Sequence, residues 1–192
     1  MTARVLTLGA TLFLSGCAMP LPNAEWEGRD RVHLTPETLG ALGGRYAYVG
    51  RSEQCVTAAG ARCPAGFLSA LDGVDTVREV ELGDTTASLI LTVKSRNRVI
   101  AEVYHEGRLI TEGVLRGWVN EGGYFELYPS TRPVFTPAVV VWGVRSEGVQ
   151  LGLAGDGAVL VEYASSGVVF LVAFPFFGSS HAATYSFSAT EE

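Results

Sequence analysis

Three thiols, three imidazoles and a set of strand carboxylates are the groups of this chain that could do chemistry. Cys17 ends an apolar N-terminal run, whereas Cys55 and Cys63 are separated by seven residues that include Gly60. Thiols so placed can be acylated, can pair, or can bind a metal. Metal sites favour closer cysteine pairs together with histidines, and His33, His105 and His181 are isolated from one another. No Cys-x-x-Cys redox motif is present. Ser165-Ser166-Gly167 reads as a hairpin turn, and Gly178-Ser179-Ser180-His181 as a loop before a strand. His105-Glu106 reads as a polar pair flanking a turn. Glu79, Glu81, Glu102, Glu112 and Glu126 fall on expected strands with solvated faces. They would serve acid/base chemistry only if two of them pointed into one interior. There is no Gly-x-Ser-x-Gly, His-Glu-x-x-His or phosphate-binding glycine loop. No residue takes a catalytic role, and neither an enzymatic activity nor a metal or other cofactor is expected.

The first sixteen residues have the make-up of a leader. Met1-Thr2-Ala3-Arg4 supplies one positive charge, and Val5 to Leu14 form an apolar run. A spanning helix needs about 20 apolar residues; this run is shorter and is interrupted by Gly9, Ser15 and Gly16. Leu14-Ser15-Gly16-Cys17 resembles the lipobox of bacterial lipoproteins, in which the leader is cut just before the cysteine and the thiol carries lipid. The resemblance implies a signal peptide over 1–16, palmitate-type lipidation of Cys17, and a membrane as partner through that lipid. Ala18 stands where an aspartate would retain the protein at the inner membrane, which by the same resemblance implies the periplasmic face of the cell outer membrane. With Cys17 so assigned, Cys55 and Cys63 remain as an even pair in an oxidising compartment. A structural disulfide between them would close a small loop and stabilise by about 2–3 kcal/mol.

Without the leader 176 residues remain, carrying thirteen basic and twenty acidic side chains, a net charge of −7, because the leader takes only Arg4. An acidic surface argues against nucleic acid as a partner, since phosphates reward clustered Lys and Arg. The length suits a single domain with a substantial core. Residues 17–34, with Pro20, Pro22 and Asn23 near their start, read as a lipidated N-terminus and flexible tether, leaving 35–192 as one β-domain.

The elements that must position these groups are mostly strands. Thr35-Pro36-Glu37 has the chemistry of a helix start, stopped by Gly43-Gly44 after about two turns. From Arg45 the period is two. Tyr46 and Tyr48 alternate with Ala47 and Val49, and a strand is expected over Thr76 to Leu82. Leu89, Leu91 and Val93 share a face, as do Val99, Ala101 and Val103. Glu106-Gly107 turns the chain into Arg108 to Arg116, and Tyr124 to Tyr128 follows a further turn. Pro129, Pro133 and Pro137 mark a loop. Four strands are expected in the tail, Ala138 to Arg145, Val149 to Ala154, Ala158 to Ala164 and Gly167 to Phe174, and His181 to Ser188 closes the chain. Turns at Ser146-Glu147-Gly148, Gly155-Asp156-Gly157 and Ser165-Ser166 would join the tail strands. About ten short antiparallel strands without intervening helices point to an all-β, up-and-down meander closed into a barrel or a strongly coiled sheet. Val139 to Val144 and Gly167 to Gly178 are apolar on both faces, so the helix, a partner subunit or the bilayer surface must cover one of them.

Leu42-Gly43-Gly44-Arg45-Tyr46 resembles the Gly-x-Trp signature that follows the N-terminal helix of lipocalins, with Tyr46 in the tryptophan's place. The resemblance implies a cup for a small apolar molecule, with Trp118 and Trp142 as lining; the plain alternative for both is core. Two functions follow as expectations. One is a non-enzymatic envelope lipoprotein whose periplasm-facing β-domain acts through protein contacts in envelope assembly or maintenance. The other is a lipocalin-like carrier or sequestering protein for a lipid or other small hydrophobic ligand.

Overall fold

The computed structural model describes residues 30–56, 62–67, 71, 86–136, 141–171 and 174–190. Within them the chain is all-β and antiparallel. The strands are β1 (Arg31–Val32), β2 (Gly44–Ala47), β3 (Val49–Val56), β4 (Arg62–Gly66), β5 (Ala87–Ser95) and β6 (Arg98–His105). They continue as β7 (Arg108–Val119), β8 (Phe125–Leu127), β9 (Ser130–Thr136), β10 (Val141–Ala154), β11 (Val159–Leu171) and β12 (Phe174–Phe187). Their order in the sheet is β2-β5-β6-β7-β8-β10-β11-β12-β3-β4, with β1 and β9 each paired to β10.

The two ends of this order meet. β2 and β3 are successive stretches of one strand bent at Tyr48. Ser52 and Arg51 of β3 pair with Tyr185 and Ser186 of β12. A bridge between Tyr46 and Ala189 carries the seam on, with Ala47 donating to the Ser188 carbonyl at 2.9 Å and Thr190 to that of Arg45 at 3.0 Å. The sheet is thus a nearly closed barrel. Period-two patterning decides what goes inside. Leu89, Leu91 and Val93 lie opposite Val103, Ala101 and Val99, as their alternation requires. Leu115, Phe125, Leu151, Val159, Val161, Tyr163 and Phe187 complete that face, all buried. Phe67 packs edge-on against Phe187, with ring centroids 5.2 Å apart.

Several elements differ from the sequence expectation. In place of a two-turn helix, residues 36–38 form a turn and Leu39–Leu42 a single 3-10 turn. Thr35 and Thr38 cap one another there, and Leu39 and Leu42 bury themselves against β5 and β10. Tertiary burial of two leucines needs only one turn, and Gly43 ends it. The proline-marked segment is no loop, because Ser130–Thr136 pairs with β10 as an edge strand, a position where a missing N–H is tolerated. Ser146-Glu147-Gly148 and Ser165-Ser166 are not turns. They lie inside β10 and β11, which pair without interruption from Val141↔Leu171 to Leu153↔Val159. Gly178 to His181 likewise belongs to β12. By contrast, the β6–β7 turn has Glu106 and Gly107 at φ of 49° and 76°, the left-handed pair of a two-residue hairpin. Residues 31–34, read as tether, are docked: β1 pairs with β10, and Leu34 is buried. The strand expected over Thr76 to Leu82 lies outside the described residues.

Candidate functional site

The residues singled out by chemistry are not gathered into one place. Cys17 lies outside the described residues. The backbones of Cys55 and Cys63 run in β3 and β4, whose Val56↔Arg62 pair sits one residue beyond each cysteine; their side chains lie outside the described set. Glu102 and Glu112 are register partners on β6 and β7, on the face opposite the core. Glu79 and Glu81 lie outside the described residues. Among the described residues, no three His, Cys, Asp or Glu side chains come together as metal ligands would. Trp118 is neither lining nor core: it is 37% exposed and leans on the exposed Tyr128 ring, centroids 5.3 Å apart. The backbone of Trp142 lies in β10, with its side chain outside the described set.

Two polar networks that the sequence reading did not assemble flank β10. On the outer face Asn120 donates to Glu126 Oε2 at 3.0 Å and to Gln150 Oε1 at 3.3 Å, and accepts from the Tyr124 amide at 3.1 Å. Gln150 passes the chain on by donating to Glu162. Both Gln150 and Glu162 are buried. On the core face, one level above Val149, the buried Glu147 accepts from Ser130 at 3.2 Å and pairs with Arg145 at 3.0 Å. Arg145 also donates to the Tyr163 hydroxyl at 2.9 Å. Each buried carboxylate is thus provided with donors, as low dielectric demands. A lone Glu within Val159-Leu160-Val161-Glu162-Tyr163 is the signal that could have found the first network. Glu147 gave none, because it stood in an apparent turn. Ser130 is set beside the Glu147 carboxylate, but Glu147 is held by Arg145 as well, and both networks act as clips between strands. Burial raises the tyrosines: Tyr48 to about 12, and Tyr46 and Tyr185 above their usual value, the last with help from Tyr163.

Above the Glu147 level, β9, β10, β11 and β12 continue as a four-stranded extension. Among the described residues β9 pairs there with β10 alone, and the pairing of β12 with β3 is confined to Tyr185 and Ser186. Its register sorts the sequence into rows across the strands. Ser130, Glu147, Ser165 and His181 form one row; Thr131, Ser146, Ser166 and Ser180 the next; Arg132, Arg145, Gly167 and Ser179 the third. Above them come Pro133-Val144-Val168-Gly178, Val134-Gly143-Val169-Phe177, Phe135-Trp142-Phe170-Pro175 and Thr136-Val141-Leu171-Phe174. Polarity therefore changes along the strands rather than between the two faces.

No protein-family model matches the chain, and searches of curated proteins and of solved structures return no significant match.

Proposed function

We propose that this chain is a non-enzymatic lipoprotein of the bacterial cell envelope. It is held by lipid on Cys17 at the periplasmic face of the outer membrane, with Cys55 and Cys63 joined as a disulfide. Its β-domain acts through contacts with envelope proteins in assembly or maintenance. The packed interior is the observation that carries the choice of a contact protein over a carrier. A ligand cup leaves inward side chains open to solvent, yet Leu89, Val99, Val103, Phe125, Leu151, Val159, Val161 and Phe187 each have no accessible surface. The lipobox resemblance supports the anchor. For the disulfide, the support is the β3–β4 hairpin. Each cysteine is the chain neighbour of one member of the Val56↔Arg62 pair, at the irregular stretch of register between Arg51 and Val56.

Palmitate labelling tests the anchor: label is expected on the parent chain and absent from the Cys17→Ala chain. Alkylation without reductant should leave Cys55 and Cys63 unmodified, and free thiols at both would remove the disulfide. Native mass spectrometry of the purified protein tests the interior. A mass free of co-purified lipid is expected; a stoichiometric lipid would favour the lipocalin-like carrier instead.

A further inference from the structure

We infer that the outer face of β6 and β7 is a self-pairing surface, on which a second copy of this chain docks about a two-fold axis. The face sets like charges against one another. Arg98 lies opposite Arg116; two rungs on, Ile100 faces Val114; two further, Glu102 faces Glu112. Gly117 donates to the Asn97 carbonyl at 3.2 Å, which makes the odd rungs of β6 the hydrogen-bonded ones. The charged pairs therefore occupy the alternate rungs, where facing side chains come closest, and like charges so placed repel. Arg98, Glu112 and Arg116 are exposed and Glu102 is half-buried. Among the described residues none of the four makes an ion pair. Along each strand the opposite charge is four residues away, about 13 Å. Arg96, at the neighbouring turn, is taken by Glu37 at 3.9 Å. Arg45 stands two strands from Glu102, with Ile90 between them.

A second copy satisfies both pairs. Half a turn about an axis along the Ile100–Val114 rung lays its strands antiparallel over those of the first. Arg98 then faces Glu102 of the second copy, Arg116 faces Glu112 of the second copy, and both contacts recur by symmetry. Ile100 and Val114 meet their own counterparts at the axis. The exposed apolar side chains obey the same symmetry. Leu109 sits on the Tyr104 rung, four rungs from Ile100 on one side, and Trp118 lies four residues from Val114 on the other. The axis thus stacks Trp118 on Leu109 of the second copy. Five large apolar side chains are exposed among the described residues, and Leu109, Val114 and Trp118 are three of them. A bilayer of anionic lipid, the rival occupant, would meet the arginines but also Glu102 and Glu112, which it repels. The outer face of a barrel is convex, so contact is a stripe along the strands. From Trp118 to Leu109 it runs eight rungs, about 26 Å, and two strands, about 10 Å, across. Such a stripe is at the small end of specific interfaces, and association in the micromolar range is expected. This pairing goes beyond the envelope contacts proposed above and needs neither the lipid nor the disulfide.

Two charge-reversed forms of the full chain test it. One carries Arg98→Glu with Arg116→Glu, the other Glu102→Arg with Glu112→Arg. Sedimentation of the parent is expected to show a dimer that forms across the micromolar range and weakens as salt is raised. Each reversed form alone should associate at least about tenfold more weakly, because like charges now meet across the axis. Mixed in equal amounts, the two forms bring an all-acidic face to an all-basic one. Native mass spectrometry of the mixture should then find heterodimers outnumbering either homodimer. A parent that stays monomeric throughout that range overturns the inference. So do reversed forms that dimerise as the parent does, and so does a mixture that remains monomeric. Far-UV spectra and thermal melts check each form for folding. Should either fail to fold, Val114→Arg, at an exposed position on the axis, takes its place, and undiminished association of that protein overturns the inference. The lipid anchor is judged separately. A dimeric parent without palmitate label defeats only the anchor, and a labelled chain that stays monomeric defeats only the pairing.

Discussion

Tyr48 shows what burial does to a single polar atom. Its ring has no accessible surface, and its hydroxyl has no hydrogen-bond partner among the described residues. An unpaired buried hydroxyl costs free energy, so Tyr48→Phe should leave stability unchanged or raise it by up to about 1 kcal/mol. A urea midpoint lowered by more than that would mean the hydroxyl is doing something the packing does not reveal. The pH dependence follows in sign. With the folded group pushed up to about 12 and the unfolded one near 10, the contribution is intact below pH 10. It is lost between 10 and 12, where the unfolded chain ionises and the folded one does not. The Tyr48→Phe protein should therefore lose less stability than the parent across that window, measured by thermal melts. At this scale the sequence was readable where a residue's surroundings repeat. Tyr46, Leu89, Leu91 and Val103 sit on the face that alternation assigned them. Glu162 was not readable, because its partners Gln150, Asn120 and Glu126 come from two other strands and a turn.

The long strands carry the clearest lesson about elements. Ser146-Glu147-Gly148 and Ser165-Ser166 have turn composition, yet they lie opposite one another in the β10–β11 ladder. Local preference for a turn was overridden by thirteen consecutive cross-strand pairs. Strand direction and hairpin turns with positive φ were legible; strand length was not. The helix expected from Thr35 was reduced to a 3-10 turn, since capping chemistry marks where a turn begins and says little about how far it runs. On β7 two glycines make a controlled comparison. A Cβ at Gly117 would overlap the Glu126 carbonyl oxygen of the paired β8, whereas one at Gly113 meets nothing within 4 Å. Gly117→Ala should cost about 3 kcal/mol, and Gly113→Ala should stay within about 0.5 kcal/mol of the parent. Equal losses in denaturant titrations of the two would mean that β7 and β8 are not so closely paired.

For the whole molecule, closure depends on a short seam. Ser188 to Thr190 join β12 to the start of the barrel through the Tyr46–Ala189 bridge and its two flanking hydrogen bonds. Removing residues 188–192 should cost about 2 kcal/mol and speed hydrogen exchange at the Ala47 amide; unchanged exchange there would show that the seam does not hold the barrel shut. Barrel closure was legible as strand count and spacing, but the β9–β12 extension was not, because it exists only once the register is known. β1 adds a constraint on reach. Arg31 is fixed to Ala154, nine residues down β10 from Arg145, so the chain leaves the barrel about 30 Å below the arginine row. Arg31 lies fourteen positions after Cys17, a reach of at most about 46–50 Å and of only about 20 Å for a relaxed coil. Were Cys17 held at a membrane surface, the β1 end of the barrel could stand no farther from that surface than this reach.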